Sequence, residues 1–261
     1  MTAVLSAKGL SAGYAGQPVV HGVDIEVHAG EVVCLLGPNG AGKTTTLLTL
    51  SGELPPIAGT VALNGATTTA PLHRRAREGL AYVTEERSVF RALSAYDNLR
   101  CGGVSPKDAV ALFPELEKCM RTRGGLLSGG EQQMLTLARA LCRKPRVLLA
   151  DELSLGLAPL VVDRLLRAVS AAAKETGTGA LIVEQHAHKA LKMADRVYVM
   201  NRGRLAMALT GEEARGRLDE IETAYLTGVS GRGEDDAAPP PAPPEAPPAA
   251  SEHTNSRPPA A

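Results

Sequence analysis

Gly37-Pro38-Asn39-Gly40-Ala41-Gly42-Lys43-Thr44 fits the pattern G-x-x-x-x-G-K-[ST]. Residues of these types at this spacing grip polyphosphate. Bare glycines let backbone N–H groups wrap phosphate oxygens, and the helix that follows aims the positive end of its dipole at them. Lys43 would reach the β/γ oxygens and the Thr44 hydroxyl would bind Mg²⁺. The pattern sits between an unbroken apolar run, Val32 to Leu36, and a helical stretch from about Lys43 to Leu50. That context distinguishes a phosphate loop from an ordinary glycine turn.

A second apolar run, Val147 to Ala150, ends in Asp151-Glu152. Strand ends of this kind face the ligand crevice of an α/β sheet. Asp151 would hold Mg²⁺ and Glu152 would polarise an attacking water. Alone the pair is a weak signal, because acids often end strands. Beside a phosphate loop it is the expected second half of a nucleotide-hydrolysing site. In Leu127-Ser128-Gly129-Gly130-Glu131, Ser128 and Glu131 form a capping box, so one reading is simply a helix start. The other is an anion-binding turn, since Gly129 and Gly130 leave first-turn N–H groups open.

The elements that must position these groups alternate between strand and helix. Strands are expected at Ala3 to Leu10, Val19 to Val27, Gly59 to Leu63, Leu80 to Val83, Leu181 to Val183 and Val197 to Met200. Helices are expected over Ser128 to Cys142 and Leu160 to Lys174, each with an apolar stripe. In the stretch 89–127, Ser94-x-x-Asp97 and Ser105-Pro106-x-Asp108 both carry a serine cap with an acid three residues on. The alternation predicts an α/β fold with a largely parallel sheet.

Lysine plus arginine equals aspartate plus glutamate, 28 against 28, so no general field attracts nucleic acid or anionic lipid. Cys34, Cys101, Cys119 and Cys142 lack any zinc spacing, and His186-Ala187-His188 has no third ligand nearby. No segment approaches the roughly 18 apolar residues of a spanning helix, and the amino end carries no secretory signal. From about Gly228 the composition turns to Asp, Ala and Pro, which predicts a disordered tail over 229–261 after a domain over 1–228.

With these motifs in place the sequence resembles the ABC ATPases, most closely the subunits that power branched-chain amino acid importers. The resemblance runs from about Leu5 to Gly228. It rests on Gly37–Thr46, Val83–Arg87, Ser128–Leu137, Leu153–Pro159, Val183-Glu184-Gln185 and Ala224–Gly228. It implies a P-loop NTPase (RecA-like) core with a small N-terminal antiparallel β subdomain and a short helical subdomain, about 89–140. It also implies ATP as ligand, Gly37 to Thr45 on its phosphates, and two such domains closing head-to-tail over two ATPs. The Ser128 to Glu131 turn of one would complete the site of the other. Tyr14 matches the aromatic residue that stacks on adenine. Glu85 falls where most of the family has a glutamine that contacts Mg²⁺, and Gln185 where most have a histidine that steadies the γ-phosphate. His186 could take over that contact, although a surface histidine is the plainer reading. Membrane permease subunits are the implied partners, which places the chain in the cytoplasm on the inner face of the membrane.

Two departures from the family stand out. Leu153 replaces the proline after the acidic pair, which is expected to loosen the loop around Glu152 and slow turnover. Restoring Pro is then expected to raise ATPase activity. The insertion 89–127, the implied permease-docking surface, is short, which bears on the transported solute more than on the chemistry. An alternative reading is an ATP-dependent gating module with weak hydrolysis. Soluble ABC ATPases of translation or DNA repair fit worse, because the chain has neither a second cassette nor a long coiled-coil insertion.

Overall fold

The computed structural model describes residues 3–185 and 191–227, the last three by backbone alone. His186, His188 and the proline-rich segment 229–261 lie outside the described residues.

Alternating side chains explain how the parallel strands carry two cores. In β3 (Val32–Leu36) every residue is buried. Val32, Cys34 and Leu36 point into one apolar cluster and Val33 and Leu35 into the other. The same division holds in β7 (Val147–Asp151), β8 (Gly179–Glu184) and β9 (Arg196–Asn201). A strand buried on both faces needs no polar alternation, which is why these segments read as continuous hydrophobic runs.

The six-stranded sheet has the order β10-β9-β3-β8-β7-β6, with β6 spanning Leu80–Val83 and β10 spanning Arg204–Thr210. All its pairings are parallel except β9 with β10, which close as a hairpin through Arg202-Gly203. A second, antiparallel sheet has the order β2-β1-β4-β5. Its strands β1 (Ala3–Tyr14) and β2 (Gln17–His28) extend beyond the expected runs, because Tyr14 pairs with Gln17 across the two-residue turn Ala15-Gly16. Strands β4 (Ala58–Leu63) and β5 (Ala66–Thr67) complete it.

Helix α1 (Lys43–Ser51) lies on the face of the parallel sheet that carries Val33 and Leu35. Its carboxyl end is held by Arg75 of α2 (Leu72–Arg77), a short helix that the hydrophobic pattern did not reveal. Arg75 is only 1% exposed; it donates to Thr49 O (3.1 Å), Leu50 O (2.7 Å) and Ala70 O (2.7 Å). A cation there complements the negative end of the helix dipole. Helices α5 (Gly129–Leu141) and α6 (Pro159–Thr176) cover the opposite face.

After β6 come α3 (Ala95–Cys101) and α4 (Pro106–Leu112), which pack against each other and against α5. Ser94 caps α3 as expected, its hydroxyl accepting from Asp97 N at 3.0 Å. Ser105 precedes α4 but makes no side-chain cap, because Asp108 N donates to the Ser105 carbonyl (3.1 Å) instead. Among the described residues no helix is long and apolar enough to cross a membrane.

Candidate functional site

The carboxyl ends of β3, β7 and β8 lie side by side in register. The loop after β3 is built around close approach. A Cβ on Gly37 would fall 2.2 Å from the Met200 carbonyl oxygen. Gly42 caps α1 at φ +101°, a conformation that costs a side chain. Pro38 and Ala41 shape the loop rather than line it: Ala41 N donates to Pro38 O at 3.2 Å and Ala41 is buried in the core.

Lys43 is buried and arches back over this loop. Its Nζ donates to Gly37 O (2.8 Å) and Pro38 O (3.1 Å). Burial lowers its pKa, and the carboxylates of Glu152, Asp151 and Glu184 partly restore it. The α1 amino end has no side-chain cap and no acid in its first turn, so its N–H groups are open to an anion.

An open cavity of about 360 Å³ brings Asn39, Gly40, Gly42, Lys43, Thr44 and Thr45 together with Glu85, Glu152 and Gln185. Val19 and Leu155, which the sequence reading did not single out, complete its wall. Tyr14 does not line it; the ring is half exposed at the end of β1. Glu85, Glu152 and Leu155 also border a neighbouring cavity of about 490 Å³ with Arg87 and Gln133.

Asp151 is the electrostatic centre. It is 1% exposed, and its Oδ1 has no hydrogen-bond donor among the described residues. Burial pushes its pKa up to about 6; the neighbouring Thr44 hydroxyl opposes that rise, and the carboxylates of Glu152 and Glu85 add to it. Leaving a buried carboxylate oxygen unpaired is costly, and a hard cation with oxygen ligands satisfies it.

Glu152 takes φ +45°, an unusual conformation for a non-glycine residue, and its N–H donates to Val183 O at 3.0 Å. Leu153 corrects the expectation of a loose loop. It is 1% exposed and belongs to the core beneath the sheet, so its side chain anchors the turn that proline would have stiffened. Leu153→Pro should therefore destabilise the chain, by about 1–3 kcal/mol for the lost buried volume. Thermal denaturation checks this, and an unchanged or raised midpoint would show that the turn is held elsewhere.

None of Ser128, Gly129, Gly130 and Glu131 lines the cavity around Lys43. Ser128 caps α5 in a full capping box, with Glu131 Oε2 accepting from Ser128 N (2.9 Å) and Oγ (2.8 Å). Those bonds, the backbone one foremost, hold the Glu131 carboxyl below its usual range. Ser128 is exposed, and the Arg87 guanidinium lies 3.0 Å from where a Gly129 Cβ would sit.

A phosphate loop leading out of a doubly covered parallel sheet defines a P-loop NTPase. Relatives narrow the class. The chain belongs to the ABC transporter ATP-binding family, whose pattern, described as ABC transporter, matches residues 20–154. It is 39% identical to the high-affinity branched-chain amino acid transport ATP-binding protein BraG of Pseudomonas aeruginosa, over 86% of this chain and 100% of that protein. It is 37% identical to the lipopolysaccharide export system ATP-binding protein LptB of Escherichia coli, over 78% of this chain and 89% of that one. A solved structure described as the ATP binding subunit of an ABC transporter superposes with a TM-score of 0.73 at 28% identity, over 86% of this chain and 100% of the other. The chain is thus an ATP-binding ATPase subunit of a transporter.

Proposed function

We propose that the chain powers a branched-chain amino acid-type importer, working as a peripheral subunit on the cytoplasmic face of the membrane. The observation that carries this reading is the likeness to BraG along that protein's whole length. The likeness to LptB is slightly lower and leaves part of both chains uncovered.

In this reading the N–H groups of the Gly37–Thr44 loop and the α1 amino end take the phosphate oxygens of ATP. Lys43 exchanges its two carbonyl partners for the β/γ oxygens. The orphaned Asp151 Oδ1, with Thr44 and Glu85 beside it, fits Mg²⁺. When bound, that ion neutralises charge on the β and γ phosphates. Glu152 accepts a proton from the attacking water, and Gln185 orients the γ-phosphate. The half-exposed Tyr14 ring offers a stacking face for adenine. The exposed Ser128 turn, which does not line its own chain's cavity, suits a second ATPase subunit that it would complete in trans.

Permease subunits would dock on the helical insertion 89–127, whose α3 and α4 pack against α5. The alternative, a weakly hydrolysing gating module, has the short insertion 89–127 in its favour, while the intact set of Lys43, Asp151, Glu152 and Ser128 favours hydrolysis.

Reconstitution tests the proposal. The chain, its membrane subunits and a substrate-binding protein should together drive ATP-dependent uptake of labelled leucine into vesicles. ATP turnover without uptake, or turnover stimulated only by a lipidic substrate, would refute the importer reading and leave the ATPase intact.

A further inference from the structure

We propose that Ser154 and Glu184 form a strap that ties the turn carrying Glu152 to the strand end carrying Gln185, which makes Ser154 a positioning residue for hydrolysis. The inference rests on the reading of Glu152 as the base.

The strap is a pair of hydrogen bonds between residues 30 positions apart. Ser154 Oγ donates to Glu184 Oε2 at 2.5 Å, and Ser154 N donates to Glu184 Oε1 at 3.1 Å. A bond to a charged acceptor is stronger than one between neutral groups, and the Glu184 side chain, 3% exposed, meets little competition from water. Neither Ser154 nor Glu184 lines the cavity around Lys43, so neither is placed to touch the nucleotide.

Glu152 needs such a tether. At φ +45° it occupies a basin that a non-glycine residue keeps only when its surroundings over-determine it. Three contacts do so here. Glu152 N–H reaches Val183 O, Leu153 is sunk in the core, and Ser154 is bonded twice to Glu184. Two of the three lead to β8, and the residue after Glu184 is Gln185, which does line the cavity. A shift of Gln185 on meeting the γ-phosphate is therefore passed through Glu184 and Ser154 to the backbone that aims Glu152.

Steady-state phosphate release by Ser154→Ala, Ser154→Thr and Glu152→Gln tests this, at saturating Mg-ATP and well below each melting temperature. Ser154→Ala should lower kcat about tenfold with KM unchanged, the fall expected from one charge-assisted bond that acts on orientation. Ser154→Thr keeps the hydroxyl and should restore most of the rate. Should the alanine chain be too unstable to assay, Ser154→Cys removes the strong donor at nearly constant volume and should show the same fall. A wild-type kcat in Ser154→Ala or Ser154→Cys, or a loss that Ser154→Thr does not rescue, overturns the strap. Substantial activity in Glu152→Gln would instead remove the base reading beneath it, whatever Ser154 does.

Discussion

Glu152→Gln should cut steady-state ATP hydrolysis by about 10³-fold, within the range set by removal of a general base, while leaving ATP affinity within about twofold. The amide keeps the size and hydrogen-bonding reach of the carboxylate but cannot accept the water's proton. Binding should survive because the groups that would hold the polyphosphate, the open α1 amino end and Lys43, lie on another segment. The backbone of Glu152 is fixed through Val183 and is indifferent to the substitution. Phosphate release and titration with a fluorescent ATP analogue measure the two quantities separately. Retention of more than a tenth of the wild-type rate would show that the water is activated elsewhere, and parallel loss of affinity would show that Glu152 holds the nucleotide.

Asp151→Asn should abolish magnesium-dependent hydrolysis and, in chelator, make the metal-free chain more stable at neutral pH. The second effect follows from the sign of the pKa change. The Asp151 carboxyl rises in the folded state from its ordinary 3.8 to about 6, first through burial, so the folded chain binds the proton more tightly than the unfolded chain. Stability contributed by this group therefore falls as pH rises from about 4 to about 6 and stays low above that. At about 1.4 kcal/mol per pH unit the cost at pH 7 is as much as about 3 kcal/mol. Asparagine carries no charge and escapes it. Melting curves at pH 5 and pH 7.5 should show a gain for Asp151→Asn that is larger at the higher pH. A gain independent of pH, or none, would mean that the charge on Asp151 is already compensated without metal.

The sequence made the strands at the centre legible and the bonds between their ends illegible. Val32 to Leu36 announces a strand because all five side chains are buried, and burial on both faces leaves an unbroken apolar run. The phosphate loop is equally legible, since its glycines answer to close approaches such as Gly37 to Met200 O that no other residue allows. Ser154 and Glu184 meet only because β7 and β8 are neighbours in the sheet, and nothing in either residue's local sequence says so. Arg75 failed the pattern for a related reason. In a helix as basic as Leu72–Arg77 an arginine reads as solvated, yet this one is enclosed by carbonyls from α1 and from the segment before α2. Leu153 reads in the sequence as a lost proline ring, because a comparison of residue types does not register the apolar space beneath the turn.

The shared strands have a consequence for how the molecule comes apart. Each of β3, β7, β8 and β9 sends neighbouring side chains into opposite apolar layers, so neither layer can melt while the other persists. Loss of either strips one side of the strands that carry the nucleotide-facing loops. Unfolding of these strands is thus one cooperative event, and occupancy of the phosphate loop by ligand would protect both layers together.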